Sequence, residues 1–409
     1  MRTLDVPSLR ARNAVAIVFA LNGFAFASWV ARIPEARSAL GLTPGQLGTL
    51  LLALSLGSVV ALPTAGMWVH RLGAARVVAA ASVLAALGLA VAGVGAGLVV
   101  QPWVTALGLL LLGYGSGSWD VAMNVEGAEV ERRIGRTIMP RFHAAFSLGT
   151  VVGAATGAVA AGLDVPIPWH LGVAALLVVA VPPVAVRSFL EAYAVEDGED
   201  EQAGGRRRSP WRAWGEPRTI AIGVMVLAMA LTEGVANDWL AVALVDGYDV
   251  PAWVGASGFA LFVTAMTAGR LGGTGLLDRF GRVPVLWTSM AVAGAGVLLV
   301  VLGQAAGLVV LGIVLWGLGA SLGFPVGMSA AADDPVHAPA RVSVVATIGY
   351  TAFLAGPPVL GFVGDQVGVL NALLLVAVLL VPSALVVPAA RPVDRSTDAS
   401  RARPPTSGE

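Results

Sequence analysis

A carboxylate and an amide end a long uncharged stretch of the chain, in the segment GSWDVAMNVE (residues 117–126). Asp120 and Asn124 are four residues apart, so on a helix they share one face. A carboxylate at membrane depth is energetically unfavourable and usually faces a cavity or a partner, and an apolar surround makes its protonation easier. Asp120 is therefore a candidate for proton coupling, and Asn124 for substrate binding. The alternative is a structural ion pair between Asp120 and a basic residue such as Arg141.

A second polar cluster occurs in the segment TEGVANDWL (232–240), where Asn237 follows Glu233 by four residues. The same reasoning makes Glu233 the second candidate for proton coupling. His143 lies near the start of another apolar run, where it can share a proton with Asp120. A capping or packing role explains this histidine equally well.

Several other charged residues also need partners. Arg270 is the only arginine well away from the ends of a predicted span. Its head either reaches the membrane surface or pairs with a carboxylate or an anionic substrate. Arg32 and Asp238 are predicted to form an ion pair that closes the outer side. Three glutamates near the membrane surface are expected to pair with nearby arginines. These are Glu126, Glu129 and Glu131, with Arg132, Arg133 and Arg136 as partners.

Nothing in the chain indicates an enzyme. The four histidines are spread over distant positions, cysteine is absent, and no serine has the G-x-S-x-G context of a strand-to-helix nucleophile elbow. We therefore predict no catalytic residue, no metal site and no cofactor. The net charge of zero gives no signal for nucleic-acid binding.

The composition indicates a membrane protein. Of the 409 residues, 57% are hydrophobic and only 12% are charged. The mean hydropathy is +0.81. A soluble chain of this size could not bury so much apolar surface in one core, so a lipid bilayer is the simpler solvent.

Twelve apolar runs are long enough to cross a bilayer, which takes about 20 residues in a helix. The predicted fold is therefore all-α and integral to the membrane. The spans are expected at residues 12–33, 45–69, 77–97, 102–126, 142–163, 168–188, 218–238, 253–276, 284–303, 305–330, 342–364 and 368–389. Residues 191–217 are polar, charged and rich in glycine, which predicts a mobile linker, and residues 391–409 are predicted to form a disordered tail.

The distribution of arginines predicts the orientation. Most of them fall in segments that share a side with the N-terminus. Because short loops rich in positive residues stay in the cytoplasm, both termini are predicted to be cytoplasmic.

The two halves of the chain resemble one another. HRLG (70–73) corresponds to DRFG (278–281), and other short landmarks pair at a slowly declining offset. This pattern predicts two pseudo-symmetric six-helix bundles, over residues 1–190 and 218–390. In transporters built from such repeats, the substrate site lies between the halves near the middle of the membrane.

Two short loops carry a family motif. GMWVHRLGAAR (66–76) and GLLDRFGR (275–282) resemble the G-x-x-x-D-R-x-G-R-R loop of the major facilitator superfamily, at both places where that family has it. Glycine makes the tight turn, Asp can cap the following helix, and Arg can bond carbonyls at a helix end. His70 stands where the family has Asp, which weakens gating there, makes it pH-sensitive, or reflects simple loop drift. The predicted gating residues are Arg71, Gly73, Arg76, Asp278, Arg279, Gly281 and Arg282.

The resemblance extends to one branch of that superfamily. WDVAMNVEGAEVE (119–131), FHAAFSLGTVVGA (142–154) and EGVANDWLAVAL (233–244) are similar to the fucose-permease and rhizopine-transport-like branch. The resemblance covers nearly all twelve spans and implies a proton- or cation-coupled carrier of undetermined substrate.

The expected function is transport of a small polar solute, sugar- or inositol-like, across the bacterial plasma membrane by alternating access. A monomer coupled to protons is expected, and the alternative is a proton-driven exporter of a metabolite or drug. Aromatic faces suit sugar-like rings, although packing against lipid or neighbouring helices explains the tryptophans equally well. The candidate substrate-binding residues are Asn22, Trp29, Trp119, Asn124, Asn237, Trp239, Trp316 and Tyr350.

Overall fold

The computed structural model describes residues 6–135, 138–190, 210–334 and 337–392, and the regular structure in these ranges is helical throughout. Seven α-helices precede the linker. They are α1 (Val6–Val30), α2 (Ile33–Leu40), α3 (Pro44–Leu72), α4 (Ala74–Gly97), α5 (Pro102–Ile134), α6 (Met139–Gly162) and α7 (Ile167–Ala185). The sequence explains where they begin and end. Thr43 and Gln46 form a reciprocal capping box that starts α3, and Gly135 ends α5 with a φ of 68°.

Nine α-helices follow the linker. They are α8 (Pro217–Val235), α9 (Ala241–Tyr248), α10 (Ala252–Phe280), α11 (Arg282–Leu302), α12 (Ala306–Ala320), α13 (Gly323–Ala331), α14 (Ala338–Val367), α15 (Val369–Ala372) and α16 (Leu374–Val386). Contacts between the helices before the linker and those after it run mainly along two helix pairs, α3 with α14 and α6 with α10. The short helix α2 also contacts α9 and α10, so the first half of the chain meets the second at these places.

The helices make twelve membrane spans. Within the described residues, 11 helices or helix runs are long and apolar enough to cross a membrane. Helix α5 is the twelfth: its 33 residues suffice to span, although polar and small residues lower its hydropathy. Because twelve is even, Val6 and Arg391 lie on one side, which we call the terminal face. The opposite side, with residues 31–43 and 249–251, is the distal face.

Two predicted spans are longer than expected. Helix α5 continues past residue 126 to Ile134, because the surface charges of its last turns pair along the helix. The seventh span was predicted to end at Asp238, and this is wrong. A π-helical turn over Ala236–Leu240 joins α8 to α9, and the apolar residues of α9 carry the helix on to Tyr248. Asp238 therefore lies inside the span rather than at its exit.

The tenth span is broken between α12 and α13, a feature that was not predicted. Pro325 lacks the N–H that would bond the carbonyl of Ser321, four residues earlier, and its ring clashes with that carbonyl. The helix accordingly stops after Ala320 and restarts at Gly323. The backbone carbonyl of Ser321 is thereby left available at membrane depth, as in the discontinuous helices of many transporters.

Glycines let α1 and α6 pack in close contact, as the spacing of Gly149, Gly153 and Gly157 predicts. A methyl group built on Gly149 would overlap the backbone carbonyl of Ala20. One built on Gly153 would lie 2.6 Å from the carbonyl oxygen of Phe24. The two backbones therefore touch without side chains between them.

The last part of the predicted linker is helical. Residues 191–209 lie outside the described residues, and so does the tail from 393. Pro210–Gly215 form a 3-10 helix, and the mobility of the linker over residues 191–217 stays a prediction. Glu216 then accepts a hydrogen bond from the Arg341 Nε at 2.6 Å. This charged hydrogen bond lowers the pKa of Glu216 and ties the segment to α14.

Candidate functional site: a polar cavity between the two halves

Asp120 lies close to the middle of α5, deeper than the sequence suggested. The Asn124 side-chain nitrogen donates to the Asp120 backbone carbonyl at 2.9 Å and to its carboxylate at 3.3 Å. Within the described residues, no ion pair joins Asp120 to Arg141 or to another basic side chain. The predicted alternative pair of Asp120 with Arg141 is therefore not formed, and the carboxylate is partly exposed beside an amide.

Close helix packing sets the position of Asp120. Helix α5 packs between α3 and α4, where a methyl group on Gly113 would overlap the Leu54 carbonyl and one on Gly115 would lie 2.6 Å from the Ala85 nitrogen. From α1, the Asn22 side-chain nitrogen donates to the Ser116 carbonyl at 3.4 Å. Asn22 is itself buried, and it holds α5 against α1 in this conformation.

His143 does not contact Asp120. Its ring packs edge-on against Phe19, with the ring centroids 5.3 Å apart, and its side chain is exposed. Phe19 also stacks on Phe142 at 5.6 Å, so aromatic packing orients this end of α6. The predicted proton-sharing pair is not formed, and packing explains the position of the histidine.

Arg270 and Glu233 form an ion pair on the opposite wall of the cavity. The Nη2 of Arg270 lies 3.0 Å from both carboxylate oxygens of Glu233. Its Nε donates to the free carbonyl of Ser321 at 3.4 Å, so the break in the tenth span positions this guanidinium. Of the two alternatives for Arg270, pairing with a carboxylate is the one observed.

Polar side chains of the two halves lie near one another. Tyr350 of α14 lies near Asp120 of α5, and Arg270 of α10 lies near His143 of α6. Tyr350 packs beside Phe324 and Phe353, with centroid distances of 6.0 and 6.4 Å, and it remains 36% exposed. The structure thus brings together residues from α5, α6, α8, α10 and α14.

The four central tryptophans are not on the surface of this cavity. Trp29, Trp119, Trp239 and Trp316 are all 0% exposed. The Nε1 of Trp316 donates to the Thr232 carbonyl at 3.0 Å, whereas the other three indole nitrogens are buried without an acceptor among the described residues. In this conformation these rings pack between helices, and their contact with a substrate stays a prediction.

Asn237 is only partly buried. It lies on the π-helical turn, and its side chain makes no hydrogen bond among the described residues. Turns of this kind occur often at functional sites, so a role for Asn237 in binding also stays a prediction.

Comparison with known proteins identifies the family. A family profile described as "Major Facilitator Superfamily" matches residues 15–275 and 257–406. The chain belongs to the Major Facilitator Superfamily. It is therefore a multi-pass membrane transporter, not an enzyme, and the resemblance seen in the sequence is confirmed.

Relatives and solved structures agree with this assignment. The chain is 33% identical to an uncharacterized transporter, y4wD, of Sinorhizobium fredii over 361 residues, 86% of this chain and 91% of that protein. It is 27% identical to the membrane protein MosC of Rhizobium meliloti, over 89% and 86% of the two chains.

The nucleoside transporter NupG has the same fold at 15% identity, with a TM-score of 0.73 and coverage of 93% and 98%. The E. coli fucose:proton symporter FucP also has this fold at 17% identity, with a TM-score of 0.63 and coverage of 93% and 98%. At such identities the two structures show the fold alone.

The motif loops of the superfamily adopt the expected turns. Gly73 and Gly281 have φ angles of 82° and 77°, which favour glycine. Asp278 does not cap the next helix, because α10 continues to Phe280 and leaves Asp278 exposed in its last turn. Gly281, the residue before α11, provides no side-chain cap. The prediction that Asp278 caps this helix was wrong.

The arginines of the two loops differ in their contacts. Arg282 donates to Asp333 at 2.6 Å, and Arg279 lies over the ring of Phe280 at 5.2 Å. Arg71 and Arg76 in the first loop are exposed. Asp333, which sequence reasoning missed, also accepts from Arg218 at 2.9 Å. Its position beside a second aspartate and a proline in ADDP (332–335) was the available signal.

The three glutamates at the end of α5 differ in their partners. Glu126 is buried and accepts from the Leu190 nitrogen at 2.7 Å, so its predicted pairing with arginine is wrong. Glu131 accepts from the Ile138 and Met139 nitrogens at 2.6 Å and starts α6. Glu129 pairs as predicted, with Arg132. Arg136 lies outside the described residues.

The distal face carries the hydrogen bonds that join the two halves. The predicted pair of Arg32 and Asp238 is wrong, because Arg32 pairs with Glu35 within its own half and donates to the Val165 carbonyl at 2.6 Å.

Two other contacts cross the interface instead. Arg37 pairs with Asp246. The Gly45 nitrogen, in the first turn of α3, donates to Asp365 at 3.1 Å. Through these contacts the distal ends of the halves are held together.

Loss of these contacts is expected to loosen the distal face. An exposed ion pair contributes about 0.2–1 kcal/mol and a hydrogen bond to a charged group about 1.5–3 kcal/mol. The double substitution Arg37→Ala and Asp365→Ala should therefore shift the equilibrium toward distal opening by roughly 20-fold or more. The measurement is the maleimide reaction rate of a single cysteine introduced by Ala256→Cys, at a fully buried position of the interface.

The chain has no cysteine of its own, so the reporter is the only reactive thiol. Asp249→Asn, at an exposed distal position whose positive φ suits asparagine, is the control and should leave the rate unchanged. An unchanged rate in the double variant would show that helix packing alone closes this face.

Proposed function

We propose that this chain is a secondary active transporter of a small, polar, sugar- or inositol-like solute, coupled to protons. The observation that carries the proposal is Asp120. It is a partly exposed carboxylate near the middle of a spanning helix, with only an amide as its side-chain partner among the described residues. Such a group is unfavourable unless it binds a proton or a ligand.

Asp120 is a better candidate for the proton than Glu233. The charge of Glu233 is already compensated by Arg270, at 3.0 Å. Asp120 has no such counter-charge among the described basic side chains, so binding a proton removes an uncompensated charge from membrane depth. We assign proton coupling to Asp120, and to Glu233 a role in holding Arg270.

The remaining groups of the cavity suit a hydroxylated solute. The amide of Asn124 and the phenol of Tyr350 can each donate and accept hydrogen bonds. They come from opposite halves, so one solute that bonds both would draw the halves together. Closure on the terminal side is the step that could also bring Asn22, Asn237 and the buried tryptophans to the solute.

The membrane placement is proposed on charge distribution. The arginine-rich terminal face is assigned to the cytoplasm of a bacterial cell and the distal face to the outside. The halves are joined at the distal face by Arg37 with Asp246 and Asp365 with Gly45. This conformation would then accept solute from the cytoplasm. The unit is proposed to be the monomer.

Proteoliposomes that enclose a pH-sensitive dye test this function. A panel of monosaccharides, cyclitols and their acid derivatives is added outside, each in labelled form. A proton-coupled importer moves protons and label inward together. Movement of protons opposite to the label would support the rival function, proton-driven export. If no compound moves protons or accumulates, the proposed function is wrong.

A further inference from the structure

The guanidinium of Arg270 is only partly used by the protein. Its Nη2 contacts both oxygens of Glu233 and its Nε contacts the Ser321 carbonyl. Its Nη1 has no acceptor among the described residues, and the side chain is 31% exposed. A planar group that is fixed on two of its nitrogens therefore presents the third to the cavity.

A second nitrogen-bearing side chain lies near Arg270. His143 of the other half lies within range of a direct Coulomb interaction with Arg270, and its side chain is exposed. Arginine is the side chain best suited to bind a carboxylate, because its donors are planar and always charged. The imidazole can add one further donor. These two groups make a site for an acceptor-rich, negatively charged group.

The rest of the cavity has the opposite character. Asp120 carries a negative charge when unprotonated, and it lies beside Asn124 and near Tyr350. A carboxylate accepts from hydroxyls but repels another anion. An anionic solute would thus be oriented, with its charge at Arg270 and its hydroxyls at Asp120.

We propose that the transported solute is a hydroxylated carboxylic acid, of the sugar-acid type, whose carboxylate is bound by Nη1 of Arg270 with His143. The proposal rests on the function proposed above and narrows its substrate class. A neutral sugar would offer Nη1 of Arg270 only hydroxyl oxygens, and these are weaker hydrogen-bond acceptors than a carboxylate. Glu233 acts here as a positioning residue, because it fixes Nη2 and so the direction of Nη1.

The test compares matched pairs of sugars on purified protein. Binding of galacturonate against galactose, and of glucuronate against glucose, is measured by calorimetry. The acid should bind about 10- to 100-fold more tightly than its neutral partner, as expected for a charge-assisted hydrogen bond. Arg270→Gln should remove that preference, and Arg270→Lys should retain part of it. Arg10→Gln, at an exposed position on α1, should change nothing.

Each other outcome has a distinct meaning. If the neutral sugar binds as well as the acid in the unaltered protein, the inference is overturned while the proposed transport function stands. If Arg270→Gln weakens both members of a pair equally, with an unchanged melting temperature, Arg270 does not read the carboxylate and the inference is also overturned. If neither member of any pair binds, the polar-solute function fails and the inference falls with it.

Discussion

Replacing Asp120 by asparagine is expected to abolish proton-driven accumulation while sparing exchange of solute across the membrane. The amide is isosteric, so it can keep the hydrogen bond with Asn124, but it cannot take up a proton. With a pH difference of one unit, worth about 1.4 kcal/mol, a one-to-one symporter concentrates its solute by up to about tenfold. In the Asp120→Asn protein this ratio should fall to about one.

The experiment uses the labelled solute that the proteoliposome panel identifies. Accumulation is measured with and without the pH gradient, and exchange is measured with solute on both sides and no gradient. Asp249→Asn is the matched control, since Asp249 is exposed on the distal face and its φ of 52° also suits asparagine. Normal accumulation by Asp120→Asn would exclude this carboxylate from proton coupling. Loss of both accumulation and exchange would indicate a role in binding or folding instead.

Substituting Gly149 by alanine is expected to destabilise the first half of the protein strongly. The new methyl group would overlap the backbone carbonyl of Ala20, and a backbone carbonyl has no rotamer that moves it away. Helices α1 and α6 must separate, and overpacking of this kind destabilises by about 1–3 kcal/mol or more. The melting temperature of the purified protein in detergent, together with its yield as a monodisperse species, measures this effect.

The same substitution at Gly172 provides the control. Gly172 also lies within a spanning helix, α7, but a methyl group there meets nothing within 4 Å. Gly172→Ala should leave the melting temperature unchanged or raise it, because alanine favours the helix by up to roughly 1 kcal/mol over glycine. Equal melting temperatures of the two variants would mean that α1 and α6 can separate freely at this point.

Hydropathy predicted the number of spans but not their ends. Residues 127–134 look like a loop because they are charged, yet Glu129 and Arg132 pair along the surface of α5 and the helix continues. The polar pair Asn237 and Asp238 likewise suggested that the helix leaves the membrane at this point. The helix passes through it, because the following apolar residues of α9 are buried among other helices. A hydropathy average over a window of residues reports composition, whereas a helix ends where its backbone hydrogen bonds end.

The pairing of charged side chains with one another was the least predictable property of the site. Pairing of Arg270 with a carboxylate was one of the alternatives in the sequence, but Glu233 was not identified as the partner. The break at Ser321 that positions Arg270 was missed, although Pro325 signalled it. The pairing of Arg32 with Glu35, three residues away, replaced a predicted contact with Asp238 that lies more than 200 positions further along the chain. Sequence separation carries no information on such choices, because they depend on how helices rotate when they pack.

The sequence by itself determined that this chain crosses the membrane twelve times and belongs to a transporter superfamily. The length of the apolar runs, the glycines at the two turns and the motif around those turns are local features of the sequence. Interactions between residues close in the chain are therefore enough to predict them. The tertiary structure alone decided that Asp120 lacks a counter-charge among the described residues, that Arg270 has one in Glu233, and that the four tryptophans are buried. These properties arise from helices that meet across long stretches of chain, where burial and charge pairing are settled only by packing.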